Sequence, residues 1–204
     1  MRVQPFHADS DLPAAAAACR AALDGHGVVA VPTETFYGLA VDPRDAAAVE
    51  AVLELKGRPA DKALPLVAAD LDQVAELVVL APVWVARLAA VWPAPLTVVA
   101  PVRQPLPACG RTAAVRVPGH GLLRALLRMT GPLTATSANP SGLPALISPA
   151  AVAKAFGRGL ALLLDGGDAP GGSPSTLVDI CSEVPKLLRP GAFRPPREWL
   201  VNGA

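Results

Sequence analysis

Short apolar runs of strand length are interleaved with stretches of helical period along most of this chain. That interleaving limits the fold more than any other feature. Val28–Val31, Leu64–Ala68, Leu96–Pro101, Ala113–Val117, Leu133–Thr136, Leu160–Leu164, Thr176–Ile180 and Lys186–Leu188 read as strands. Pro13–Asp24, Arg44–Leu55, Leu71–Leu80, Val83–Val91, Leu122–Met129 and Pro149–Phe156 read as helices. Gly25 and Gly27 stop the first helix, and Lys56-Gly57 ends the second. The order departs in places from strict β-α-β alternation, so some neighbouring strands must run antiparallel. The predicted fold is α/β, a three-layer arrangement with a twisted mixed parallel and antiparallel sheet flanked by helices. A single domain is expected over residues 1–204, with a core over about 10–193. The tail, 194–204, opens on Arg194-Pro195-Pro196-Arg197 and reads as extended.

Composition enters at two points. Hydrophobic residues make up 52% of the chain and charged ones 17%, which is a globular and not a disordered balance. Aromatics are only 4%, so the core must be built from Ala, Val and Leu. The net charge of +1 gives no bulk electrostatic reason for nucleic-acid binding, and any anion site must be a local cluster. Cys19, Cys109 and Cys181 lack the spacing of a metal or redox motif and read as buried, reduced thiols. The start, with His7, Asp9 and Asp11 before an Ala run, does not read as a signal peptide. No uninterrupted apolar run reaches membrane-spanning length. A cytoplasmic protein without membrane contact is the expectation.

Two polar strings do not suit a core. Lys56-Gly57-Arg58 closes a helical stretch, and Thr136-Ser137-Ala138-Asn139 follows an apolar run. Together they look like the cationic and the hydroxyl-amide halves of a site for an anionic, nucleotide-sized ligand. Lys62 adds a further cation close to Arg58, which Gly57 and Pro59 flank. Thr33-Glu34-Thr35 follows a strand, where α/β domains place ligand loops; hydroxyls capping a helix would read the same way. Arg116 stands inside an apolar strand. Such a charge needs an anion, either a structural carboxylate or the carboxylate of a ligand. His120, just beyond, reads as a helix cap or a surface residue. Gly166–Ser175 reads as a Gly-rich flap ending in hydroxyls, and Arg189 as a cation at a strand end. No nucleophile elbow, dinucleotide fingerprint, P-loop or His/Cys cluster is present. Chemistry here would rest on positioning and charge stabilisation, with no covalent nucleophile.

The segments PTETFYGL, KGRPADKALPL, WPAPLTVV, AVRVPGH, TSANPSGLP, STLVD and LLRPGA occur in this order from about Gly27 to Gly191. In these the chain resembles the YrdC-like threonylcarbamoyl-AMP synthases, in the short, single-domain form. The resemblance implies formation of threonylcarbamoyl-AMP and pyrophosphate from L-threonine, bicarbonate and ATP with Mg2+. It implies hand-over to a downstream threonylcarbamoyl-transferase complex that modifies tRNA beside the anticodon. It also implies roles. Thr35, Arg116, Ser137 and Ser175 would hold threonine, Arg116 by its carboxylate. Lys56, Arg58, Lys62, Thr112, Asn139, Ser148 and Arg189 would hold ATP, with Lys56 and Arg58 stabilising charge. No protein metal ligand is assigned. Ala94 and Ala63 depart from the family's usual Gly and Pro. Ile147 stands where longer members have a hydroxyl, with Ser148 one residue on.

Competing readings are a double-stranded RNA-binding module of the same fold, a paralogue with another acyl acceptor, and a sugar-phosphate enzyme on a related fold. Few aromatic platforms and a near-neutral charge weigh against the RNA reading. A lack of clustered acidic metal ligands near the matched loops weighs against the sugar-phosphate reading.

Overall fold

The strands divide into two mixed sheets, which at one passage of the chain are separated by a single residue. The structure, a computed structural model, describes residues 1–58 and 63–200. One sheet holds β1 (Arg2–Pro5), β9 (Leu160–Asp165), β2 (Val28–Pro32), β3 (Tyr37–Ala40) and β8 (Thr136–Ser137), in that spatial order. The other holds β11 (Lys186–Arg189), β10 (Thr176–Asp179), β5 (Leu96–Leu106), β6 (Gly110–Arg116), β4 (Leu66–Val67) and β7 (Leu133–Thr134). Ala135, between β7 and β8, is where the chain steps from one sheet to the other. β9 runs parallel to β1 and β2, β10 to β5, and β4 to β6; the remaining ladders are antiparallel.

β2 shows why these runs are apolar throughout. Successive side chains of a strand point to opposite faces. Val28 and Ala30 enter one buried cluster, with α2 (Ala46–Lys56), α3 (Leu71–Leu77), α4 (Pro82–Ala89) and α6 (Pro149–Phe156). Val29 and Val31 enter a second cluster, with α1 (Leu12–Asp24) and α5 (Gly121–Thr130). A strand covered on both faces keeps no polar position. Residues such as Val52, Leu66, Leu88 and Leu126, all fully buried, fill the space that a chain with few aromatics leaves to aliphatic side chains.

Helix ends follow local chemistry. Asp45 accepts from the N–H groups of Ala47 and Ala48 at the start of α2, and Asp70 from Gln73 at the start of α3. Gly57 closes α2 in the left-handed region, φ +60°, which suits a residue without Cβ. His120 is the cap of α5: its Nδ1 accepts from the Leu123 N–H at 3.1 Å.

Four features differ from the sequence expectation. β1 and β3 are additional to the predicted strands; a Gln in the one and a Gly in the other interrupt the apolar pattern. The run Leu133–Thr136 is two short strands broken at Ala135, since its halves belong to different sheets. The tail is not extended throughout: Arg197–Trp199 forms a 3₁₀ turn and Trp199 is buried. Of the thiols, Cys19 is buried and Cys109 partly so, but Cys181 is exposed in the turn after β10. Among the described residues no helix is long and apolar enough to cross a membrane.

Candidate functional site

A cavity of about 340 Å³ opens where the two sheets approach each other. It takes its lining from β3, β4, β5, β6, β8, β10 and β11 and from the loops between them. Three guanidinium groups, Arg58, Arg116 and Arg189, face it, together with the hydroxyls of Thr33, Thr35, Thr97, Thr136, Ser137 and Ser175. Among the described residues no Asp, Glu, His or Cys lines it.

Strand alternation delivers Arg116. Along β6, Ala114 and Arg116 share the face that lines the cavity, while Ala113 and Val115 point into the core. Both alternatives for a buried arginine meet here. Its Nη1 donates to Glu34 Oε1 at 2.7 Å, and the two side chains are 10% and 16% exposed. Burial pulls the guanidinium below the ordinary arginine range, while the Glu34 carboxylate opposes that pull. The other carboxylate oxygen of Glu34 is buried and has no partner among the described residues. Burial likewise favours the neutral ring of His120, against the nearby Glu34 charge, in keeping with Nδ1 acting as an acceptor.

Thr35 is oriented by a turn that Thr33 locks. Thr33 Oγ1 accepts from the N–H groups of Thr35 and Phe36 and donates to the Phe36 carbonyl at 2.7 Å. The two threonine hydroxyls lie 3.2 Å apart. On the opposite wall, Ser175 Oγ is 2.8 Å from Thr97 Oγ1, and Arg189 donates to the Ser175 carbonyl at 2.8 Å and to its Oγ at 3.2 Å.

The strings around Lys56 and Asn139 do come together, but in an unexpected way. Lys56 is 5% exposed and does not line the cavity. Its Nζ donates to the Ser137 carbonyl, to the Asn139 carbonyl at 2.9 Å and to Asn139 Oδ1 at 3.3 Å. Burial, and then the charge of Arg58, bring its pKa down to about 8. Arg58 does face the cavity. It donates to the Ala63 carbonyl at 2.9 Å and to Thr136 Oγ1 at 3.4 Å, and burial lowers its pKa.

Of the remaining candidates, Asn139 lies behind Ser137, whose Oγ donates to Asn139 Oδ1 at 2.6 Å. Thr112 is exposed, and continues the β6 face of Ala114 and Arg116 beyond the lining. Ser148 caps α6, its Oγ accepting from Ala151 N at 3.2 Å. Lys62 lies outside the described residues. Sequence reasoning missed Thr97 and Tyr37. Thr97 is one hydroxyl in an apolar strand, a faint signal. Tyr37 is the only tyrosine of the chain, and it bridges the flap: its hydroxyl donates to the Gly167 carbonyl at 2.8 Å and accepts from Gly166 N at 3.1 Å. The flap is also held to Thr35, whose carbonyl accepts from Gly171 N at 2.7 Å.

Among the described residues no group of three or more His, Cys, Asp or Glu could hold a metal ion. With no carboxylate on the cavity wall among the described residues, and Glu34 paired to Arg116, the described side chains do not fit a magnesium site. The arrangement suits an anion bound by planar cations, next to a polar pocket able to take hydroxyl, amine and carboxylate groups.

Comparison with known proteins points the same way. The Sua5/YciO/YrdC family model, described as telomere recombination, matches residues 21–191. A curated relative from Pseudomonas aeruginosa, named threonylcarbamoyl-AMP synthase, is 39% identical over 169 residues, 80% of this chain and 90% of that protein. The solved structure of Pyrococcus abyssi Sua5 complexed with L-threonine superposes with a TM-score of 0.82 at 33% identity, covering 94% of this chain and 58% of that one. Escherichia coli YciO shares the fold with a TM-score of 0.86 at 20% identity, covering 98% of this chain and all of that one.

Proposed function

The chain belongs to the Sua5/YciO/YrdC family, and we propose that it is an L-threonylcarbamoyladenylate synthase. It condenses L-threonine, bicarbonate and ATP into threonylcarbamoyl-AMP and pyrophosphate. The observation that carries this reading is the cavity, with the guanidinium groups of Arg58, Arg116 and Arg189 around a set of hydroxyls.

The proposed chemistry needs proximity and charge compensation more than it needs a reactive side chain. Bicarbonate gives up hydroxide to become carbon dioxide, the neutral amine of threonine adds to its carbon and loses a proton, and the carbamate forms with one water released. A carbamate oxygen attacks the α-phosphorus of ATP, and the bond to pyrophosphate breaks. Arg116 is the group for the threonine carboxylate: Glu34 engages one of its Nη atoms and leaves the rest of the fork for a second carboxylate. Thr35, Ser137 and Ser175 supply donors and acceptors for the threonine hydroxyl and the carbamate. Arg58 and Arg189 take the charge that develops on the phosphates. Lys56 contributes by holding the segment 137–139 that carries Ser137 and Asn139. In this reading Lys62, Thr112 and Ser148 remain candidates for the outer part of ATP. Magnesium accompanying ATP would sit on phosphate oxygens and water, so no step here is routed through it.

In this reading the product is an activated acyl donor, to be consumed by a downstream transferase acting on tRNA in the cytoplasm. Double-stranded RNA binding has less support, given a net charge of +1. The deciding experiment measures pyrophosphate release from ATP with Mg2+, with L-threonine and bicarbonate supplied together or each left out. Release that requires both supports the synthase. Release indifferent to threonine overturns it and favours a paralogue with another acceptor.

A further inference from the structure

The family match ends at residue 191, but the chain beyond it is bound to the site. Gly191 lies flush on the segment Pro174–Thr176: a Cβ there would come within 2.6 Å of Ser175 C and Thr176 N. The next two residues continue the contact. Ala192 N donates to the Pro174 carbonyl at 2.9 Å, Thr176 Oγ1 donates to the Phe193 carbonyl at 2.5 Å, and Phe193 N returns a bond to Thr176 Oγ1 at 3.2 Å. Pro174 and Ser175 are cavity wall, and Arg189, just before this stretch, both lines the cavity and grips Ser175.

The far end of the same segment is anchored in apolar contact. Trp199 is 6% exposed and meets Trp84 of α4 edge to face, with ring centroids 5.5 Å apart and planes at 86°. Phe193 lies 6.3 Å from Trp199. The guanidinium of Arg87 stands 4.9 Å from the Trp84 ring centroid and 5.8 Å from that of Trp199. Aromatics are 4% of this chain, and two of its three tryptophans meet here, Trp84 of α4 and Trp199 of a short terminal turn that does not line the cavity. Edge-to-face rings and a stacked cation are directional contacts that fix a segment in place instead of merely covering it.

We propose that residues 191–199 form a strap whose Trp199 anchor holds the Pro174–Thr176 wall in register, which makes Trp199 a positioning residue for Ser175. The inference rests on the synthase reading for its kinetic consequence but not for its structural one. The strap presses on the outside of the wall; nothing in it enters the cavity. Its loss should therefore loosen the threonine side of the site and leave the chemical step itself little changed.

The test uses the full chain with Trp199→Ala and Trp199→Phe. Two quantities are read: hydrogen exchange at the amides of Thr176, Ala192 and Phe193, and the KM for threonine and kcat in the pyrophosphate assay. For Trp199→Ala the expected result is exchange faster by about tenfold at these amides, a KM for threonine raised about tenfold, and kcat within about twofold. Trp199→Phe should recover most of both. If Trp199→Ala does not fold, Arg87→Ala replaces it, with a shift of about threefold in the same direction expected from one lost cation–π contact. Wild-type exchange at these amides overturns the strap, as does a wild-type KM alongside a lowered melting temperature. If the wild type shows no threonine-dependent release, the synthase reading fails instead, and exchange alone decides the strap.

Discussion

The ammonium of Lys56, at the end of α2, donates to both oxygens of Asn139, 83 residues away: to the carbonyl at 2.9 Å and to Oδ1 at 3.3 Å. With the Ser137 carbonyl as third acceptor, the three donors of the lysine are used up. The signature Lys and the signature Asn are thus partners, and neither touches the cavity.

Lys56→Met keeps the stem of the side chain and removes its donors. Two carbonyls and an amide oxygen then lose a buried partner, and unfolding free energy should fall by about 2–4 kcal/mol. Chemical denaturation checks the value. A loss under about 0.5 kcal/mol would mean the clamp is not needed to hold the 137–139 segment.

Glu34 and Arg116 form a largely buried pair, so removing either leaves the other uncompensated. Glu34→Ala or Arg116→Met alone should each cost about 3 kcal/mol. The double variant should cost clearly less than the sum, a coupling of about 1–3 kcal/mol in a double-mutant cycle. Strict additivity would show that the two charges are stabilised independently.

Tyr37→Phe deletes the hydroxyl that joins β3 to Gly166 and Gly167. A cost of about 1–2 kcal/mol is expected. Because the flap also leans on the Thr35 carbonyl, limited proteolysis should begin within residues 166–175. Cleavage elsewhere first would remove the anchoring role.

Burial raises the Cys19 thiol to about 12 from 9.0, so folding favours its protonated form. The sign follows: this contribution is fully present below pH 9.0 and is lost as pH rises toward 12. The stability advantage of wild type over Cys19→Ala should shrink across that window by up to about 1.4 kcal/mol per pH unit. Urea titrations of both proteins between pH 8 and 11 measure it. A pH-independent difference would show that the thiol does not stay protonated in its pocket.

Much was legible in the linear pattern. Fully buried strands such as β2 and β9 announce themselves as unbroken apolar runs, and α2 as apolar spacing closed by Lys56-Gly57. The cavity hydroxyls Thr35, Ser137 and Ser175 and Arg58 sit in polar strings, and Arg116 stands out as one charge in an apolar strand. What was not legible was direction. Lys56 and Arg58, two residues apart, face opposite ways: one into a turn, the other into the cavity. Ser148, a candidate ligand group in the sequence, also caps α6, where its Oγ accepts from Ala151 N.

Residue types and order alone determined the layering, the family and the polar strings, because periodicity and unpaired polarity are local properties. Only the tertiary structure decided who meets whom. The pairing of Arg116 with Glu34 spans 82 residues, that of Tyr37 with the flap 130. The burial of Trp199 against Trp84 depends on a tail whose local sequence reads as extended. Such contacts follow from the packing of two sheets around one cavity, where the free energy of burial is settled by neighbours in space, not by neighbours in the chain.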